Sequence, residues 1–167
     1  MIKEPPEVLA LAALREILSD LSGERPGGWT YPQTPSVVGW PLPPPGQQMN
    51  RDELPRLYVV AASGSTLEGA GIKGAALAYR KAFLVDIYGV IRGDDTATAD
   101  TWRWRLLDDV LMTLHQNWTL FRTAMDGIDI TQRPQGLDTG EFSTDALFIQ
   151  PVTVRLRPWA PTTLPAP

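Results

Sequence analysis

Hydrophobic and polar residues alternate along positions 81–92 and then change to a helical spacing. One set of alternate positions is apolar and consists of Phe83, Val85, Ile87 and Ile91. The positions between them are mixed and consist of Leu84, Asp86, Tyr88, Val90 and Arg92. Successive strand side chains point to opposite faces, so this pattern predicts a long strand with one buried and one half-exposed face. Residues 94–98 then provide turn and N-cap chemistry. An apolar helical stripe follows, made of Trp102, Leu106, Val110 and Leu114 and widened by Leu107 and Leu111.

The same patterns predict four further elements. A first helix opens at Pro5 and Pro6, closes at Ser22-Gly23 and has an apolar face of Leu9, Ala13, Leu14, Ile17, Leu18 and Leu21. Shorter strands are predicted at 57–62, 128–131 and 147–156. In the last of these, Phe148, Val152, Val154 and Leu156 share one side, Arg155 and Arg157 face the other, and Pro151 indicates an edge or bulged strand.

The resulting order, α-β-β-α-β-β, predicts an α+β fold. We expect an antiparallel four-stranded sheet with two helices packed on one face, forming a single domain over residues 1–158. Residues 159–167 are expected to be an extended C-terminal tail.

A proline- and tryptophan-rich arm, residues 24–52, is inserted after the first helix. Its prolines rule out helix and central strand. Two interpretations of its aromatic residues stay open. Trp29, Tyr31 and Trp40 either pack on their own domain or anchor the arm to a neighbouring subunit.

Composition excludes several function classes. The net charge is −4, which disfavours broad binding to duplex DNA or to an anionic membrane. The chain has no cysteine, so it has neither a disulfide nor a thiolate nucleophile. No apolar segment is long enough to span a bilayer and no signal core follows the N-terminus, so we expect an intracellular protein without membrane association.

Gly69–Gly74 matches the G-x-G-x-x-G pattern of dinucleotide-binding domains. That chemistry requires a buried strand ending at the first glycine and a helix starting at the last one. The polar residues 63–68 precede the motif instead, and few residues remain for a helix before the next strand. We therefore interpret residues 63–74 as the glycine-rich loop of a β-hairpin and expect no cofactor.

Other candidate chemistry has simpler explanations. His115 is the single histidine and no acid–base triad surrounds it. An acidic cluster lacks the spacing of a calcium loop, so no metal site is expected from Asp94, Asp95, Asp100, Asp108 and Asp109. Trp104 and Arg105 lie away from the apolar stripe of their helix, which favours a protein interface. We expect no catalytic residues and no enzyme activity.

The order of the predicted elements and their pattern of apolar and polar residues resemble those of the tail terminator, or tail completion, proteins of long-tailed bacteriophages. The resemblance is carried by the strand Ala82–Val90, AFLVDIYGV, the polar turn after it, and a helix of the Asp109-Val110-Leu111 type. It covers roughly residues 54–158 and the first helix. The arm around Pro26–Pro45 is longer than a minimal member of that family would need.

This resemblance implies a mechanical function. The family forms a ring, implied to be a hexamer, that caps the tail tube, stops its polymerisation and joins it to the head–neck connector. It implies a virion location at the tail–neck junction, assembly in the host cytoplasm, and DNA only passing through the bore. We expect subunit or partner contacts from Trp29, Tyr31, Trp40, Leu67, Ile72, Lys73, Trp104 and Arg105, and an acidic bore-facing turn from Asp94 and Asp95.

Three alternatives stay open. One is another neck or head–tail joining protein. A second, of a different class, is a small nucleotide-binding enzyme built on Gly69–Gly74, which requires a parallel sheet and a bound cofactor. The third is a small adaptor or ligand-binding domain, which would be a monomer or a dimer.

Overall fold

Over the described residues, the fold is a mixed α+β arrangement of two helices and a six-stranded sheet. The computed structural model describes residues 5–19, 21, 29, 31, 35–38, 54–73, 76–116, 125–130, 135–137 and 145–156. In chain order the elements are α1 (Pro6–Ser19), β1 (Ser36–Val38), β2 (Arg56–Lys73), β3 (Ala76–Arg92), α2 (Thr96–Gln116), β4 (Met125–Asp129), β5 (Gln135–Leu137) and β6 (Asp145–Leu156).

The four predicted strands are present and are antiparallel to one another where they pair, but the sheet as a whole is mixed. Its order is β1-β2-β3-β6-β4, with β5 pairing β6 off that path. The strand that makes it mixed is β1, which lies in the proline-rich arm and pairs parallel with β2. The sequence did not predict β1, because three residues between prolines carry no readable alternation. The edge position is one that a proline-flanked strand can occupy.

The predicted two-faced character of the central strand is confirmed. Val85, Ile87 and Ile91 on β3 are fully buried, whereas Leu84, Asp86 and Tyr88 between them are half-buried. The last strand behaves the same way, with Val152 and Val154 inward and Arg155 exposed. The inward rows of both strands therefore form one wall of the core.

Both helices contribute to the core cluster on this inward face. From α2 come Leu106, Val110 and Leu114, as the helical spacing predicted. From α1 come Leu14, Ile17 and Leu18, but Leu9 is 47% exposed and was wrongly placed in the buried stripe. Ala10 is buried in its place. The stripe of α1 is thus rotated by about 100°, one residue, at its N-terminal end.

A shorter row of apolar residues lies on the opposite face of the sheet. Leu54, Tyr58 and Val90 form a second, smaller cluster there. Within it, Tyr58 on β2 pairs directly with Tyr88 on β3. This cluster explains why the outward face is half-buried and not fully polar.

The strands β2 and β3 are longer than predicted. Residues 63–73 were expected to be a glycine-rich loop, yet they continue β2 and pair with β3 down to Lys73 opposite Ala76. The hairpin itself was predicted correctly and only its loop was placed too early. Two register shifts, between Ala61 and Ser65 and between Leu67 and Ala70, let this irregular sequence remain paired.

The arm and the tail fall largely outside the described residues. Of the arm, Trp29, Tyr31 and residues 35–38 are described, while Trp40 is not. The predicted tail, residues 159–167, also lies outside them, as does Arg157. Among the described helices, none is long and apolar enough to cross a membrane.

A first prediction concerns the contact between Gly89 and Phe148, which pair directly across β3 and β6. A Cβ atom at position 89 would overlap the Phe148 ring. We expect Gly89→Ala to destabilise the fold by about 1–3 kcal/mol, as overpacking does. Urea denaturation of Gly89→Ala, Phe148→Leu and the double variant measures this. Leucine at position 148 makes room for the alanine, so the double variant should be more stable than the sum of the two single effects implies. Additive effects on the free energy of unfolding would contradict the overlap.

A second prediction concerns the first turn of α2. Asp95 Oδ1 accepts a hydrogen bond of 2.7 Å from the Thr98 backbone amide, the geometry of an N-cap. Hydrogen bonds from Thr98 lower the pKa of Asp95 below its ordinary value of 3.8. Stabilisation by the ionised cap is therefore complete above that value and is lost as the pH falls through the lower folded-state pKa.

Thermal denaturation of Asp95→Ala tests the cap. We expect a lower Tm than that of the parent chain at pH 7, and a smaller difference at pH 3. Asp95→Asn should retain most of the stability at pH 7, because its amide oxygen also caps. The exposed neighbour Asp94 provides the matched control, since Asp94→Ala removes the same charge without removing the cap. Equal effects at positions 94 and 95 would contradict the assignment.

Candidate functional site

Two aromatic residues of the arm pack against α2 through a buried carboxylate. The Tyr31 hydroxyl donates a hydrogen bond of 2.6 Å to Asp109 Oδ2, and Trp29 Nε1 donates one of 3.1 Å to the same oxygen. Trp29 Nε1 also lies 3.3 Å from the Tyr31 hydroxyl, so its hydrogen is shared. Asp109 is 1% exposed and Tyr31 is 4% exposed. The buried Oδ2 atom of Asp109 thus binds both arm residues to α2.

Aromatic stacking surrounds this carboxylate. The rings of Tyr31 and Trp102 lie 5.4 Å apart between centroids at an interplanar angle of 42°. The Arg105 guanidinium lies over Trp102 at 4.8 Å and over Trp29 at 5.7 Å, within the range of a cation–π contact. We call these five residues, Trp29, Tyr31, Trp102, Arg105 and Asp109, the arm anchor.

The arm anchor bears on three of the predicted interface residues. Trp29, Tyr31 and Arg105 make contacts within their own chain, which supports the interpretation that the arm aromatics pack on their own domain. Their predicted use in a subunit contact stays a prediction. The role of Asp109 was missed, although its position gave a signal. It lies in the apolar stripe between Leu106 and Val110, where a carboxylate must have buried partners.

The solvent-facing side of α2 carries a different set of residues. Exposed positions recur every four residues at Asp100, Trp104, Asp108 and Met112. Trp104 is 50% exposed and Met112 is 38% exposed. The Arg103 guanidinium covers one face of the Trp104 ring at 5.2 Å and also pairs with Asp100. We call this row the α2 stripe. The prediction that Trp104 points away from the core is confirmed.

The acidic turn before α2 is open to solvent. Asp94 and Asp95 are both exposed, and Asp95 also caps the helix. Their predicted position at a bore is a property of an assembly, so it stays a prediction. Asp109, in contrast, is buried on the other side of the helix. Among the described residues, no three acidic or histidine side chains are grouped as metal ligands are. His115 is exposed in the last turn of α2.

The glycine motif lies in a hairpin and not at a strand-to-helix turn. Gly69 and Gly71 are inside β2, and the next described element after the motif is the strand β3. A dinucleotide site needs a helix N-terminus at this place to hold the phosphates. Residues 56–73 and 76–92 form antiparallel strands, so the motif lacks the geometry on which that chemistry depends.

Within the described part of the chain, the far end of this hairpin extends beyond the strands that pair with its near end. The strand β6 pairs with β3 only from Ala82 to Arg92, and β1 pairs with β2 only from Arg56 to Tyr58. Residues 67–73 and 76–81 therefore pair with each other and, within the described part of the chain, with no third strand. We call them the distal ribbon. It contains three predicted contact residues, Leu67, Ile72 and Lys73, and brings all three to one extension of the fold.

On the outward face of the sheet, the acidic residue Asp86 lies among apolar neighbours. Asp86 pairs across the strands with Val60 and Pro151, and burial raises its pKa above the ordinary value. Burial, and then the nearby charge of Asp86, raise the pKa of Tyr88. Asp86 lies in the middle of β3, far from the strand end at which a dinucleotide ribose would bind.

A third prediction concerns the arm anchor. Hydrogen bonds to a charged group contribute about 1.5–3 kcal/mol when they are buried, so Tyr31→Phe should lower the free energy of unfolding by that amount. Trp29→Phe should cost less, because its hydrogen bond is longer and shared. Urea denaturation of Tyr31→Phe, Asp109→Asn and the double variant measures the coupling between the two groups. An exposed control, Asp108→Asn, removes the neighbouring charge. Zero coupling between positions 31 and 109 would contradict the arm anchor.

No protein-family model matches this chain, and no curated protein matches it either. Function is therefore inferred from the geometry of the arm anchor, the α2 stripe and the distal ribbon, together with the resemblance in element order.

Proposed function

We propose that this chain is a structural virion protein, a tail terminator whose subunits form a ring on the end of a tail tube. In this role the protein stops tube polymerisation and joins the tube to the head–neck connector. The requirements are a rigid body, a contact between subunits that closes into a ring, and extensions that reach the neighbouring proteins.

The distal ribbon is the observation that carries this proposal. A two-stranded ribbon is marginally stable alone in water, and Gly69 and Gly71 weaken this one further. It is also irregular, with the register shift between Leu67 and Ala70. An extension that is costly to form by itself is favoured when a second surface covers it. A subunit of an assembly supplies that surface in every copy.

The body from which the ribbon extends is well suited to holding it in place. The β3 strand pairs with β6 along its whole proximal part, and both strands bury their inward rows under α1 and α2. The ribbon continues the same two strands, so it is directed by a buried and rigid base. A contact made at its end is then positioned by the core and not by a flexible linker.

The other exposed groups fit the same role. Trp104 and Met112 give α2 an apolar surface that a partner can cover. In the proposed ring, Asp94 and Asp95 line the bore, where their charges repel the DNA that passes through. We propose that six subunits form the ring, that the tail tube protein and the neck connector are its partners, and that it lies at the tail–neck junction after assembly in the host cytoplasm.

A fourth prediction tests this function. Light scattering of the purified chain over a concentration series should give a closed oligomer of defined size, or a monomer that assembles when tail tubes are present. In electron micrographs, tail tube protein from the same virus should form shorter tubes with capped ends when this chain is added during polymerisation. An equal amount of chain added after polymerisation should bind tube ends without changing their length.

Two outcomes would contradict the proposal. Unchanged tube length together with a failure to bind tube ends would exclude a terminator. Binding to isolated head connectors in that case would instead favour a head–tail joining protein. A fixed monomer or dimer in every condition would favour an adaptor domain.

A further inference from the structure

We propose that the arm anchor is an aromatic cage for an organic cation, which the chain fills with its own Arg105, and that this cation holds the arm on α2. The ligand class is a guanidinium or quaternary ammonium ion. The cage belongs to a single chain, so it goes beyond the proposed function and does not rest on it.

Two indole rings form the walls of the cage. The central carbon of the Arg105 guanidinium lies 4.8 Å from the ring centroid of Trp102 and 5.7 Å from that of Trp29. Both distances lie within the roughly 6 Å over which an aromatic ring attracts a cation, and tryptophan does so most strongly. Tyr31 supports the Trp102 wall, with its ring centroid 5.4 Å away. One wall comes from α2 and the other from the arm, so the cation joins the two.

A buried carboxylate gives the cage a negative charge. Asp109 follows Arg105 by one helical turn, so the two side chains lie on the same side of α2. Its Oδ2 atom accepts the hydrogen bonds of Trp29 and Tyr31. Its Oδ1 atom is also buried and has no hydrogen-bond partner within the described part of the chain. A buried charge is costly unless an opposite charge offsets it, and the guanidinium held by the two indole rings supplies that charge one turn away.

Burial distinguishes the cage from an ordinary surface contact. Both indole walls and the guanidinium are half-buried, and a cation–π contact is stronger where water is excluded. Elsewhere on α2, Arg103 covers Trp104 at 5.2 Å, but that ring is 50% exposed and Arg103 also pairs with Asp100. This second contact has one exposed wall, so it provides a matched comparison on the same helix.

The position of the arm on α2 therefore depends on the cation. Trp29 contacts α2 in two ways, through its ring over the guanidinium and through its indole N–H, which donates to Asp109. Loss of the cation removes the first contact and leaves the carboxylate without an opposite charge, so both contacts weaken together. In a chain that lacks the Arg105 side chain, an external cation of similar size should restore both.

A fifth prediction tests whether charge or bulk at position 105 holds the arm. Hydrogen exchange of the Trp29 indole N–H, followed by NMR and assigned with Trp29→Phe, measures how often the arm leaves α2. We expect Arg105→Met, which keeps an apolar stem, to raise this exchange rate at least roughly fivefold, because a partly desolvated cation–π contact contributes about that factor. Arg105→Lys should raise the rate less, because it keeps the charge. The matched control Arg103→Met, at the one-ring contact, should leave the Trp29 rate unchanged.

Chemical rescue tests the ligand class. In Arg105→Ala, guanidinium chloride at up to about 100 mM, far below the molar concentrations that unfold proteins, should slow the Trp29 exchange again and reach saturation. Tetramethylammonium chloride should act in the same direction. Urea, which has the shape of guanidinium without its charge, and sodium chloride should not. The parent chain should not respond, because Arg105 fills its cage, and adding Trp102→Leu to Arg105→Ala should abolish the rescue by removing one wall.

Three outcomes would overturn the proposal. Parent-like exchange in Arg105→Met would show that the apolar stem alone holds the arm. No rescue by either cation, or equal rescue by guanidinium and urea, would exclude a cation site. Undiminished rescue in the chain that also lacks the Trp102 ring would place the bound cation elsewhere. Circular dichroism checks the fold of each variant, and if Arg105→Ala does not fold, the exchange rates of Arg105→Met and Arg105→Lys decide between charge and bulk.

Discussion

Pairing between β3 and β6 is the constraint on which the rest of this structure depends. The two strands run antiparallel from Ala82 to Arg92, and their inward rows alternate strictly with their outward rows. A shift of one residue would move the inward rows of side chains to the outward face of the sheet. Gly89 supports the register, because only a residue without a side chain leaves room for the Phe148 ring opposite it. Both helices pack on the wall thus formed.

Among the described residues, the same pairing divides β3 into a part that pairs with both β2 and β6 and a part that pairs with β2 alone. Where β6 is present, β3 lies between two strands, and its inward side chains are buried. Beyond Ala82, only β2 remains as a partner among the described residues. The change from a core strand to a distal ribbon therefore takes place within one continuous element. Because of this continuity, the buried core fixes the position of the distal ribbon.

Sequence patterns predicted the elements whose chemistry repeats, and failed where structure depends on one distant contact. The alternation in β3 and the spacing in α2 were sufficient to place Val85, Ile87 and Val110 in the core. By contrast, β1 depends on its pairing with β2, and three residues are too few to show a local pattern that predicts a strand. The local sequence of the glycine-rich residues 63–73 favours a loop, but pairing with β3 outweighs this weak local preference.

The candidate site shows the same division. The exposure of Trp104 follows from helical geometry alone, about 100° per residue. The arm anchor does not, since Tyr31 and Asp109 are separated by 78 positions in the chain. A carboxylate inside an apolar stripe does, however, indicate that it has hydrogen-bond partners, because burying an unpaired charge costs too much free energy. Sequence can therefore indicate that such a group has buried partners, while only the fold reveals that the arm supplies them at Oδ2. Within the described part of the chain, Asp109 Oδ1 has no hydrogen-bond partner. In this chain that answer matters, because it ties the arm to α2, the helix whose other side carries the exposed Trp104 and Met112.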